Sequence, residues 1–189
     1  MRKVLISIAL FIAFGSLFYV ISTIIVGNYF PEYFTKSILY KKHKYGYTNT
    51  RLDDIKHYKN VDILIVGSSH TYRSFDPRVF DKAGYRIFAL GTSAQSPLQT
   101  ELLVKRYLKK LKPSLVVLEV YPVMFAIDGA ESAVDVLAND VNDIYSLKMA
   151  LNEHSFIVYN TMFYSFYRNI MDSTVKVEED WNFLGDKYI

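Results

Sequence analysis

Apolar and polar positions divide the chain into three regimes. From Val4 to Val26 there is no charge, and the residues are mostly Ile, Leu, Phe, Val and Ala. That run exceeds the roughly 20 residues a helix needs to cross a bilayer. It predicts a membrane-spanning helix within residues 1–30, with Pro31 marking its end. Tyr29, Phe30, Tyr33 and Phe34 suit the aromatic belt at a membrane interface. Residues 31–60 then lose periodicity and read as a polar, basic, tyrosine-rich connector that either lies on anionic headgroups or is simply solvated.

The third regime begins near Val61. Three short apolar runs, Ile63–Val66, Tyr85–Leu90 and Leu115–Val120, are too short for helices and too apolar for surface strands. They predict buried parallel strands, the first lying between the other two. Helix signals separate them. Asp76-Pro77 starts a short helix that Gly84 ends. Ser96-Pro97-Leu98-Gln99 is a capping box opening a helix to about Leu111, with Leu98, Leu102, Leu103, Tyr107 and Leu111 toward the sheet. Lys112-Pro113 breaks it. Past Pro122 the strand pattern fades. Asp143 to Leu151 reads as a helix. Phe156, Tyr159, Phe163, Phe166 and Ile170 recur at helical spacing and predict a second helix with one aromatic face, packed on the domain or set against a membrane or partner. Glu178 to Ile189 mixes acids with Trp181, Phe183 and Tyr188.

Composition narrows the class. About half the residues are hydrophobic and one in six is aromatic, far from a disordered composition. The net charge of +3 gives no electrostatic case for nucleic acid. With no cysteine, disulfides, thiol chemistry and cysteine metal sites are excluded. Arg2 and Lys3 precede the apolar run, and no small-x-small cleavage site follows it. An uncleaved signal anchor with an exported domain is therefore expected. Lys36, Lys41, Lys42 and Lys44 on the far side argue for the opposite orientation.

Candidate chemistry gathers where the first strand ends. Gly67-Ser68-Ser69 sits at the edge where open α/β sheets bind ligands. Ser69 reads either as a nucleophile near backbone N–H donors or as a strand-to-loop turn residue. A serine nucleophile needs a base. His43 lies in the connector, His57 precedes the strand, and His70 adjoins Ser69, a poor position from which to serve its neighbour. His154 follows the serine without an aspartate three residues earlier. Arg73 is placed to orient an anion or to form a surface ion pair, and Glu119 sits at the functional edge of the third strand. No metal-ligand cluster is present, and no cofactor is implied.

GSSHTYRSFDP, FALGTSAQSP and LKPSLVVLEVYP together resemble the start of an SGNH (GDSL-type) hydrolase. The resemblance is to its membrane-tethered branch, associated with membrane-bound O-acyltransferases and cell-surface acylation. It covers roughly residues 55–150. It implies Ser69 as nucleophile, with Ser68 replacing the family's aspartate, and an oxyanion hole of the Gly91 and His70 backbone N–H groups. Glu119-Val120-Tyr121-Pro122 stands where the family has an asparagine donor, and the family's closing Asp-x-x-His block is absent.

The expectation is therefore an α/β protein. A transmembrane signal anchor (1–30) and a juxtamembrane connector (31–60) precede a partial SGNH-like, flavodoxin-like three-layer domain with a parallel sheet (61–189), truncated at its C-terminus or degenerate. The implied function is an esterase or O-acyl/acetyl transferase for a cell-envelope glycan or lipid. Its partners would be the bilayer and a membrane-bound O-acyltransferase, and its domain would lie outside the cytoplasm. The alternative is a non-catalytic accessory or binding subunit.

Overall fold

A computed structural model describes residues 1–42 and 48–172. His43 and Lys44 of the connector, and the C-terminal stretch with Trp181, Phe183 and Tyr188, lie outside the described residues. Helix α1 runs Arg2–Tyr29 and is the one described helix long and apolar enough to cross a membrane. It is consistent with a single-pass membrane anchor. Its residues 1–19 are exposed throughout, whereas Thr23 and its neighbours are covered. That exposed length is about 27 Å at 1.5 Å per residue, close to the roughly 30 Å of a bilayer's hydrocarbon core.

Strands β1 (Ile63–Gly67), β2 (Ile87–Gly91) and β3 (Leu115–Leu118) form a parallel sheet in the order β2-β1-β3. The central position of the first strand and the parallel pairing agree with the pattern read from the sequence. Register runs from Ile63 opposite Ile87 and Leu115 to Gly67 opposite Gly91. β2 starts two residues later than its apolar run because Tyr85 is exposed and the Arg86 N–H donates to Asp62 Oδ2 (2.7 Å).

One expectation is corrected. β3 is not buried: Leu115, Val116 and Leu118 are all exposed. As the edge strand it pairs only with β1, and no other described element packs extensively on it. It also stops at Leu118, since Pro122 opens a 3-10 turn over Pro122–Phe125.

Local chemistry explains the helices. α4 (Pro77–Lys82) is capped by Asp76, whose carboxylate accepts from the Arg78 N–H. α5 (Pro97–Leu111) carries the expected capping box of Ser96 and Gln99 and ends on Lys112 in the left-handed conformation. Leu102, Leu103 and Leu111 are buried in the core, with Leu98 and Tyr107 packed at its margin. α7 (Ile144–Glu153) is capped by Asp143, which accepts from the N–H groups of Tyr145 and Ser146. Arg106 on α5 meets both Asp140 and Asp143, tying α5 to the corner before α7.

Three elements were not anticipated: α2 (Thr48–Asp54), α3 (His70–Ser74) and α6 (Ala130–Asn139). α2 draws part of the expected connector into the core, where Leu52 and Ile55 are buried. In α8 (Phe156–Asp172) the buried residues are Val158, Thr161, Met162, Tyr164 and Ser165, and the aromatic stripe lies beside them. Of the stripe, Tyr159, Phe163 and Phe166 are half-buried and pack against the core as expected, and Phe156 and Ile170 are exposed.

Candidate functional site

The parallel register decides what meets at the sheet's C-terminal edge. Val66 lies opposite Leu118, and the Glu119 N–H continues the ladder by donating to the Val66 carbonyl (2.8 Å). Glu119 is thereby held beside the loop that leaves β1. Its Oε2 accepts from the Ser68 N–H at 2.8 Å. Its Oε1 lies 3.3 Å from His70 Nδ1. Gly67 makes this approach possible. Its φ is +149°, and a Cβ there would lie 2.7 Å from the Glu119 Cβ.

Ser68 is the buried member of the loop, at 2% exposure. Its carbonyl accepts from the N–H and hydroxyl of Thr71, which fixes the turn into α3. Its hydroxyl lies 3.3 Å from His70 Nδ1 and 3.4 Å from the His70 N–H. Ser69 is the N-cap of α3, half-buried, with helical backbone angles. Its carbonyl accepts from the Arg73 N–H, and its hydroxyl bonds no described residue.

Electrostatics favour an ionised Glu119. Burial opposes its charge, but the Ser68 N–H and hydroxyl and the His70 ring outweigh that and hold its carboxyl below the usual range. A carboxylate only accepts, so its bond to His70 places a proton on Nδ1, and in the neutral imidazole Nε2 is then the acceptor. The His70 side chain is about half exposed. The Tyr121 ring meets it edge-on, centroids 4.9 Å apart.

The other candidates are placed as follows. Gly91 lies opposite Gly67 on the adjacent strand, so it shares the edge with the serine loop. Its carbonyl accepts from Arg51 Nη2 at 2.8 Å. The Arg73 guanidinium lies 5.8 Å from the Tyr72 ring and makes no hydrogen bond to the serine loop. His154 is the exposed, left-handed C-cap of α7, with no bond to Ser69. The structure thus brings Ser68, Ser69, His70, Gly91 and Glu119 to one edge and leaves Arg73 and His154 out of their hydrogen-bond network.

Two contributors were missed. Arg51, read as part of a polar connector, spans from α2 to the edge and stacks on Tyr72 with its guanidinium 4.0 Å from the ring centroid. The loop after β2 is pinned by side chains. Thr92 bonds Gln95 and Ser132, and Ser96 bonds Gln99, which in turn donates to Glu153. A signal existed for both: a lone arginine in a short helix-compatible stretch, and a dense run of Thr, Ser and Gln after a strand.

No group of three or more metal-ligating side chains occurs among the described residues. No family model, curated protein or solved structure matches the chain.

Proposed function

We propose that this protein is a membrane-anchored serine esterase or O-acyl/acetyl transferase of the SGNH type, acting on a cell-envelope glycan or lipid. The observation that carries the reading is the serine loop at the C-terminal edge of the central strand, with Ser69 capping a helix and Glu119 of the neighbouring strand clamped onto the loop. From the central strand the chain steps to β2 on one side, and from β2 it crosses back over β1 to β3 on the other, so successive connections run in opposite directions. Under the right-handed crossover rule that reversal puts α4 and α5 on opposite faces and makes this edge a topological switch point.

In this mechanism the Ser69 oxygen attacks an acyl carbonyl as its proton passes to solvent, the His70 and Gly91 backbone N–H groups steady the oxyanion, and the adduct collapses to a Ser69 ester by breaking the acyl–oxygen bond and releasing the donor's alcohol, protonated from solvent. His70, oriented by Glu119 through Nδ1, offers Nε2 to a water or acceptor hydroxyl bound over the loop. Among the described residues no base touches Ser69 itself, so the first step is slow: loss of a triad member costs about four to six orders of magnitude. The test is hydrolysis of a small activated acetyl ester by the full chain in micelles. The expected result is a weak rate that Ser69→Ala abolishes and Glu119→Gln reduces. A rate indifferent to Ser69→Ala removes the enzyme reading.

One observation favours a second reading, an accessory subunit of a membrane acyltransferase system. The Glu119 carboxylate already occupies the Ser68 N–H, so the loop satisfies itself as a structural turn. An inactive chain that co-purifies with a membrane-bound O-acyltransferase would support this reading.

A further inference from the structure

We infer that α8 lies in the membrane interface, the exposed ends of its apolar stripe, Phe156 and Ile170, resting on the bilayer beside the point where α1 emerges. The inference stands on α1 and α8 alone and does not depend on the esterase reading.

The depth comes from α1. A hydrocarbon core of roughly 30 Å takes about 20 helical residues, and counted from Val4, the first residue past Arg2 and Lys3, it ends near Thr23, the buried position of α1. One turn before that level, at Tyr19, α1 meets α8. Its hydroxyl donates to Asn160, and its ring meets Phe163 edge-on at 5.9 Å. α8 therefore sits at interfacial depth.

The facing comes from how α1 crosses α8. Two turns further from the membrane, α1 has moved to Tyr164, whose hydroxyl donates to Asn28 Oδ1 at 3.2 Å. Gly27 permits the crossing, because a Cβ there would run into the Tyr164 ring. Tyr164 lies about 100° around α8 from Phe163. Following α1 toward the membrane thus leads from the Tyr164 flank to the Phe163 flank. Phe156 and Ile170 lie on that membrane-ward side, at the two ends of a stripe whose middle residues, Tyr159, Phe163 and Phe166, are half-buried and pack against the core.

The chemistry of the stripe fits that occupant. Phe156 is 78% and Ile170 68% exposed, at its two ends. The only charges on α8 are Arg168 and Asp172. Arg168 lies over the Tyr40 ring, 5.9 Å from its centroid, away from the stripe. An in-plane helix with aromatic and aliphatic residues outward and its other face in a protein core is the form of an interfacial contact. Its continuity with the spanning helix selects a lipid surface over a protein partner.

The test uses the full chain in phosphatidylcholine–phosphatidylglycerol nanodiscs. Because the sequence has no cysteine, single substitutions Phe156→Cys, Ile170→Cys, Phe14→Cys and Val79→Cys each give one site for a nitroxide label. Phe14 is in the spanning segment, and Val79 is an exposed position on α4. The expected result is oxygen accessibility exceeding that of a soluble nickel chelate at 156 and 170, as at 14, with the reverse at 79. All labelled positions are exposed, and unchanged circular dichroism confirms the fold. Overturning results are a label at 156 or 170 as open to the nickel chelate as 79, or dipolar broadening at either that disappears on dilution with unlabelled protein, which assigns the stripe to a second copy.

Discussion

Replacing Glu119 tests the clamp on the serine loop directly. The carboxylate accepts a charge-assisted bond from the buried Ser68 N–H and pairs with His70. Hydrogen bonds to charged groups contribute about 1.5–3 kcal/mol, and neutral ones about 0.5–1.5 kcal/mol. Glu119→Gln keeps an acceptor for Ser68 and loses the charge, so it should cost about 1 kcal/mol. Glu119→Ala leaves the Ser68 N–H buried without its partner and should cost about 2 kcal/mol. The pH dependence has a defined sign. The folded carboxyl titrates below its usual range, so ionised Glu119 stabilises the fold above the unfolded value of about 4.3. That contribution is lost as pH falls through the folded value. Urea unfolding of the full chain in micelles, followed by circular dichroism at pH 7.5 and at pH 3, measures both effects. The gap between wild type and Glu119→Gln should narrow at the lower pH, and the Ser68 amide should exchange faster in the alanine variant. An alanine cost under about 0.5 kcal/mol, or a gap that widens at low pH, refutes the clamp.

Other sites give further outcomes. Asp140→Ala leaves the buried Arg106 guanidinium with the Asp143 carboxylate and the Ser146 hydroxyl and should cost about 3 kcal/mol in urea unfolding, while Arg106→Met/Asp140→Leu should recover much of that loss. Burial pushes the Glu153 carboxyl up, so Glu153→Gln should be neutral or stabilising at pH 7.5, an advantage that fades as pH falls through the raised value. Gly67→Ala must take φ +149° and press on Glu119, and should lower the thermal midpoint by several degrees, at about 4 °C per kcal/mol for a domain between the small and large size classes. Gly27→Val should drive α1 off Tyr164 and raise amide exchange along α8 while leaving the sheet protected.

Much of the fold was legible because local signals agreed with one another. Apolar runs alternated with capped helices, and the cap residues Asp76, Ser96 and Asp143 do what their chemistry predicts. What escaped was set by tertiary packing. α3 has five residues, too few for a period. α6 buries Ser132 and Ala133 beside Val136 and Leu137, so its inner face is small and only partly apolar. On α8 the apolar residues surround the helix, and spacing favoured the aromatics. Packing chose instead a face with Thr161, whose hydroxyl accepts from the Leu39 N–H, and Ser165, which donates to the Leu137 carbonyl. The pairing of Glu119 with Ser68 spans 51 residues. It was implicit once the strands were aligned, since Gly67 and Glu119 each lie one step past an aligned pair.

The two halves of the candidate site are held very differently. Ser68 leaves the central strand, buried on all sides among β2, β3 and α3. Glu119 leaves the edge strand, whose side chains are open to solvent and whose backbone is paired on one side only. The loop that carries Ser69 therefore inherits the rigidity of the core, while the carboxylate that orients His70 depends on a single ladder bond to Val66 and on its own contacts with the loop. Positioning of a catalytic group to within about half an ångström requires support from a surrounding shell. On the Ser69 side that shell is present in Thr71 and Gly67. On the Glu119 side the support is reciprocal: the carboxylate orders the loop, and the loop orders the carboxylate. Small changes at the β3 edge should thus be felt first in the tautomer and orientation of His70, before any change reaches the backbone of Ser69.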